Sequence, residues 1–226
     1  MLGLQVALAV AYALLAHAAS AGDDDRFALG ALLALLLMLL AAPLAARRAW
    51  AWLVLPASAA GAFALYRAGH AGLPLLLVPV AFVALVAWWF GRSLRSPRGA
   101  LITRIVAGLE REPLAGLDPE LVAYTRRLTA AWAWLLALLA LLNLALALAA
   151  EPDGLLASIG VQPPFTITRA QWSWFANLSN YGVVGGFFAG EFVLRQRRFP
   201  GRYRNFFDFL RQLAGLGPAF WRDFLR

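Results

Sequence analysis

The chain contains no cysteine. That absence excludes disulfides, thiolate metal sites and a cysteine nucleophile. Lysine is absent too, so all twenty basic residues are arginine. Histidine is nearly missing: His17 and His70 are the only two. Neither has a second ligand at i+3 or i+4, which argues against a bound metal. Charge of either sign is scarce, at 14% of residues against 62% hydrophobic, and mean hydropathy is +0.69. A chain this apolar does not make an ordinary water-soluble domain, so the bilayer is part of its solvent.

Six stretches are apolar enough to cross that bilayer: Leu2–Ala19, Phe27–Ala46, Ala49–Tyr66, Leu73–Phe90, Leu128–Ala150 and Trp172–Leu194. Each comes close to the ~20 residues that span a ~30 Å hydrocarbon core. The expected fold class is therefore all-α, a polytopic membrane protein. The first stretch runs into "AHAASAGDDD", whose small residues resemble a signal-peptidase site. No arginine or lysine precedes its apolar run, and it is read as a retained helix.

The arginines are sorted. Seventeen follow the second, fourth and sixth stretches, and three, Arg26, Arg67 and Arg169, fall on the other side. That other side also holds Asp23, Asp24, Asp25, Glu151 and Asp153. By the positive-inside rule both termini are cytoplasmic. The net charge of +8 is thus a topology signal, and no nucleic-acid-binding motif accompanies it.

Four segments organise the chain: a four-helix half (1–90), a cytoplasmic amphipathic segment (91–127), a two-helix half (128–200) with an outer loop (151–171), and an interfacial tail (201–226). In the second segment Leu101, Ile102, Ile105, Val106 and Leu109 repeat at helical spacing. That pattern predicts a helix lying in the headgroup plane. "LDPEL" predicts another helix start, with Asp118 as cap, Pro119 in the first turn and Glu120 near the positive helix end. The tail mixes arginines with aromatic residues and predicts further interfacial helices, interrupted near Gly217-Pro218.

The fifth and sixth stretches carry the candidate intramembrane polar site: Asn143, Asn177, Asn180 and Glu191. On a wheel of 100° per residue Asn180 and Glu191 fall within about 20° of one another, with Asn177 roughly 60° away. Gly182, Gly186 and Gly190 lie on the opposite face, where they predict a close helix–helix contact. Two uses of the polar face remain open. One is structural, with the asparagines bonding between helices and Glu191 pairing with Arg195 at i+4 and Arg198 at i+7. The other is a polar pocket reached from the cytoplasm. Asn177 also begins an N-L-S sequon, which a membrane span would hide.

Three segments carry a resemblance: "FGRSLRSPRGALITRIV" (Phe90–Val106), "YTRRLTAAWA" (Tyr124–Ala133) and "WSWFANLSNYGVVGGFFAGEFVLRQRRFP" (Trp172–Pro200). They resemble a family of small bacterial integral membrane proteins encoded among genes for aryl polyene and xanthomonadin-type pigments. The resemblance covers roughly the second half of the chain. It implies a place in the bacterial cytoplasmic membrane beside ketosynthases, acyl carrier proteins and acyl-activating enzymes, and it brings no catalytic map. A ketosynthase activity is excluded, because condensation needs an acyl-accepting cysteine.

The expected function is non-catalytic docking of acyl carrier protein or cytosolic pathway enzymes at the inner leaflet. Arg92, Arg95 and Arg98, with Arg126 and Arg127, are the candidate residues for anionic lipid, a phosphate group or an acidic partner. One alternative is a flippase for the acyl product, its path lined by the intramembrane polar residues. Another is a membrane acyl or glycosyl transferase with Glu191 or Asp118 as base. No His-Asp acyltransferase pair and no glycine-rich phosphate loop supports the latter. No cofactor is expected.

Overall fold

The structure is a computed structural model that describes residues 2–22, 24–151, 154–162, 167–168, 178–199, 211–212 and 215–224. Among the described residues, five helices are long and apolar enough to cross a membrane: α1 (Leu2–Gly22), α2 (Asp25–Ala45), α3 (Ala49–Arg67), α4 (Leu73–Ser93) and, after the shorter α5 (Leu101–Glu110), α6 (Pro119–Ala149). A short α7 (Leu155–Ser158) precedes a π-helical segment, Leu178–Val183, which leads into α8 (Val184–Arg198). The expected sixth span begins at Trp172, and its first residues, 172–177, lie outside the described residues.

The first four helices match their expected limits closely. The fifth starts well before Leu128, because two expected elements are one helix. Asp118 Oδ1 accepts the Glu120 N–H at 2.9 Å, and from that cap α6 runs for 31 residues without a break. At ~1.5 Å per residue it measures about 46 Å, more than a ~30 Å hydrocarbon core needs. The anticipated boundary at 127/128 therefore falls mid-helix.

The chain forms two compact units, one of Met1–Pro79 with Leu144–Thr168, the other of Val80–Asn143 with Arg169–Arg226. In the first, α1 packs on α2 and α2 on α3, the order that short connections dictate. Ala28, Ala31 and Ala34 are buried on α2, and a Cβ on Gly30 would come 3.3 Å from Leu15. Small residues thus permit the close approach. Asp24 caps α2 by accepting the Arg26 N–H at 2.8 Å. Ala150–Glu151 and Ile167–Thr168 add a two-residue parallel pairing.

The second unit is organised by threonines. The first N–H groups of a helix have no partner within it, and in α5 two of them are met from neighbouring elements. Ser93 Oγ accepts the Leu101 N–H at 3.0 Å, and Thr129 Oγ1 accepts that of Ile102 at 3.3 Å. Thr125 donates to the Leu121 carbonyl at 2.9 Å, so the 2.8 Å contact between Thr103 and Thr125 has Thr103 as donor. All three threonines are buried.

An apolar cluster of Val106, Ala107, Leu117 and Leu121 continues this contact, with Ile102, Val122 and Phe199 against it. The sequence predicts α5 as a helix in the headgroup plane. The helix is there, but Leu101, Thr103, Val106 and Ala107 are buried by protein. A hydroxyl that can bond across to α6 makes Thr103 a packing residue.

The Gly217–Phe224 helix covers the other side of α5. A Cβ on Gly108 would come 2.5 Å from the Phe220 ring, so only glycine lets that ring sit where it does. Phe224 is buried, with its ring 5.8 Å from that of Trp89 and the Arg104 guanidinium 4.6 Å above it. Residues 201–210, most of the segment joining α8 to this helix, lie outside the described residues.

Candidate functional site

On α6, Glu120, Tyr124, Arg127, Leu128 and Ala131 follow one another at steps of one, three or four residues, which places them along one face. On α8, Phe187, Gly190, Glu191, Leu194 and Arg198 do the same. The two faces meet antiparallel: Glu120 contacts Arg198 at one end, and Trp132 meets Phe187 at the other, ring centroids 4.8 Å apart. Between them is a cavity of about 620 Å³. Its charged groups gather near the start of α6, and Leu128, Ala131 and Phe187 line the far end.

Glu191 sits in the middle of this seam. The Tyr124 hydroxyl donates to its Oε1 at 3.3 Å, and Arg195 Nε lies 3.2 Å from the same oxygen. The carboxylate and the guanidinium are both under a tenth exposed, at 7% and 8%. This is the i+4 pair that the spacing predicts, although more deeply enclosed than an interfacial pair. Arg198 does not join it. Two turns along a helix is ~10.5 Å, and Arg198 turns instead to Glu120, with Nη2 and Nε donating to Oε1 at 2.8 and 3.1 Å. That second pair is half exposed, so it fixes geometry more than it adds stability.

Of the other expected members of the polar site, Asn143 does not line this cavity. Asn143 is buried, and its Nδ2 donates to the Leu139 carbonyl of its own helix at 2.8 Å. Asn177 lies outside the described residues, and Asn180 is described only as backbone, within the π-helical segment. A uniform 100° step does not hold through the π-helical turns of Leu178–Val183, so sequence spacing alone does not align Asn180 with Glu191. The glycine face is corrected at Gly186 and Gly190. A Cβ on Gly186 or Gly190 would meet no atom within 4 Å. These glycines leave open space in place of a tight helix contact.

The expected arginine patch is divided. The Arg92 guanidinium lies 5.1 Å from the centre of the Trp88 ring. Arg95, Arg126 and Arg127 are exposed, and Arg127 also lines the cavity. Arg98 lines a second hollow of about 690 Å³, where Arg104 and Arg111 also converge with Glu112, Leu114 and Phe220. Arg111 ends α5 in the left-handed region at φ 56, a conformation that costs a non-glycine residue ~1 kcal/mol or more.

Sequence reasoning missed Tyr124, Glu120, Arg104 and Arg111. Glu120, Tyr124, Arg127 and Ala131 at i, i+4, i+7 and i+11 was the available signal for the first pair.

No serine, threonine or histidine lines the first cavity among the described residues; the hydroxyl that does line it, that of Tyr124, donates to the Glu191 carboxylate. Nor does any group of three or more His, Cys, Asp or Glu gather among them as a metal site would require. Asp118, one of the two candidate bases, is engaged as a helix cap. The arrangement suits binding: ion pairs and a phenol at one end, apolar wall at the other. Comparison with protein-family models, with curated proteins and with solved structures returned no match.

Proposed function

We propose that the chain is a non-catalytic, multi-pass component of the bacterial cytoplasmic membrane that docks an acidic partner at its inner face. The topology proposed has six spans and both termini cytoplasmic, on the strength of the arginine sorting. The partner proposed is an acyl carrier protein serving an aryl polyene-type lipid pathway, the setting that the resemblance implies. Anionic lipid headgroups would occupy the same basic surface between docking events.

The observation that carries this reading is the hollow lined by Arg98, Arg104 and Arg111, in which Glu112 is the one acid among the described lining residues. Arg98 and Arg111 have no carboxylate partner among the described residues. Guanidinium groups match phosphate and carboxylate with paired, parallel hydrogen bonds. Transport of the acyl product has less support, since Asn143 does not share the cavity that Glu191 lines.

The test is binding of acyl carrier protein, with and without its phosphopantetheine arm, to the protein in nanodiscs. Arg98→Glu with Arg111→Glu weakens binding, and the loss shrinks as salt rises, because at 0.15 M such charges act over only ~8 Å. Equal binding by the double variant removes this hollow as the dock.

A further inference from the structure

The cavity between α6 and α8 has a charge balance of its own. Two acids reach it, and each is matched: Glu120 by Arg198 at 2.8 Å, and Glu191 by Arg195 at 3.2 Å. Arg127 also lines it and has no carboxylate partner among the described residues. Among the described residues the charged end therefore has one positive charge left over. Beyond it the wall is hydrocarbon, from Leu128, Ala131, Phe187 and Leu194. Gly190 lines the same space, and a Cβ there would meet nothing within 4 Å. The volume of about 620 Å³ lies within the ~300–1,000 Å³ typical of small-molecule sites.

We propose that this cavity binds one single-chain amphiphile with a carboxylate head, a free long-chain acyl acid. The head pairs with Arg127, and the chain lies along the row from Leu128 to Phe187. One guanidinium matches one carboxylate in both charge and shape. A phosphate monoester would bring ~1.5–2 negative charges against the single one available. Glu191 and Tyr124 touch each other beside the head and hold the two helix faces at this spacing. Gly190 leaves the room that the chain fills. The site is separate from the arginine hollow and does not depend on carrier-protein docking.

The experiment uses the full chain in nanodiscs of zwitterionic phospholipid, with palmitic acid bearing a photoreactive diazirine as probe. Adducts are mapped by mass spectrometry. They fall on the α6 and α8 peptides, and unlabelled palmitate competes for them. Methyl palmitate, with a neutral head, competes about tenfold less well, the scale of one lost charge-assisted hydrogen bond. A lysophosphatidic acid that competes better than palmitate overturns the carboxylate assignment.

Gly190→Leu fills the cavity with a better helix former than glycine and lowers probe labelling about tenfold or more. Arg127→Gln weakens palmitate competition, and Arg127→Lys restores most of it. Thermal melting of each variant establishes that it is folded. Labelling that is spread along all the helices, or unchanged in folded Gly190→Leu, overturns the site.

Discussion

The Tyr124 hydroxyl reaches across 67 positions of sequence to Glu191 at 3.3 Å, and it does so on the oxygen that Arg195 also contacts. A carboxylate on one helix is thereby fixed by a phenol from another and a guanidinium from its own. Such a group, once enclosed, is costly to leave without its counter-charge.

Replacing Glu191 tests that cost. Glu191→Gln keeps a hydrogen-bond acceptor for Tyr124 and is expected to be mild. Glu191→Leu leaves the Arg195 guanidinium enclosed without its carboxylate and is expected to cost ~3 kcal/mol. The double variant Glu191→Leu, Arg195→Leu recovers most of the loss. Detergent melting temperatures check the order: wild type, then Gln, then the double variant, with Leu alone lowest. A Leu variant as stable as wild type would show that the ion pair contributes nothing.

Thr129 is the second test. Its Oγ1 accepts the Ile102 N–H and donates to the Thr125 carbonyl at 2.8 Å. Thr129→Val has nearly the same shape but strands a backbone N–H, at ~1–3 kcal/mol. Thr129→Ser restores the bond. Hydrogen exchange at the Ile102 amide speeds up in the valine variant and returns toward wild type in the serine variant. No change in either argues that the 3.3 Å contact carries no weight.

Gly108 gives a steric prediction. Gly108→Ala raises helix propensity by ~1 kcal/mol, yet its methyl would collide with the Phe220 ring at 2.5 Å. The Gly217–Phe224 helix is expected to loosen, with Trp221 fluorescence shifting red and protease cutting more readily. Adding Phe220→Ala removes the collision and, with it, the ring's contacts with Trp221 and Phe224. In that background Gly108→Ala is expected to be neutral or stabilising. Equal loosening with and without the Phe220 ring contradicts the account.

The proposed topology is checked by reporter fusions. Fusions after Arg67 and Asp153 are expected to report the outer side, and a fusion after Arg226 the cytoplasm. A cytoplasmic signal at Asp153 reverses the assignment for everything that follows it.

Much of the helical outline is legible in the sequence, because an apolar run of bilayer length has few other readings. The Asp118-Pro119 start and the Glu191–Arg195 pair are also legible, being contacts between near neighbours in the chain. What escapes is long-range and chemically quiet. Thr103, Thr125 and Thr129 look neutral in a list of helical residues, yet together they join α5 to α6. Glu120 gives no sign that its partner is Arg198, 78 positions away. The glycines misled for a related reason. Spacing of four puts them on one face, but only the neighbouring backbone decides whether that face closes or stays open.

The threonine hydroxyls have a further consequence, for the order in which the chain assembles. Thr125 and Thr129 each donate to a carbonyl one turn back in α6, so α6 enters lipid with those protons already placed. The amides at the head of α5 have no such provision and wait for oxygens from Ser93 and Thr129. Insertion of α6 is therefore expected to precede the docking of α5, in two stages rather than one. In pulsed hydrogen exchange during membrane insertion, amides in the middle of α6 gain protection first, and those of Leu101 and Ile102 gain it later. Simultaneous protection would mean that the two helices form as one unit.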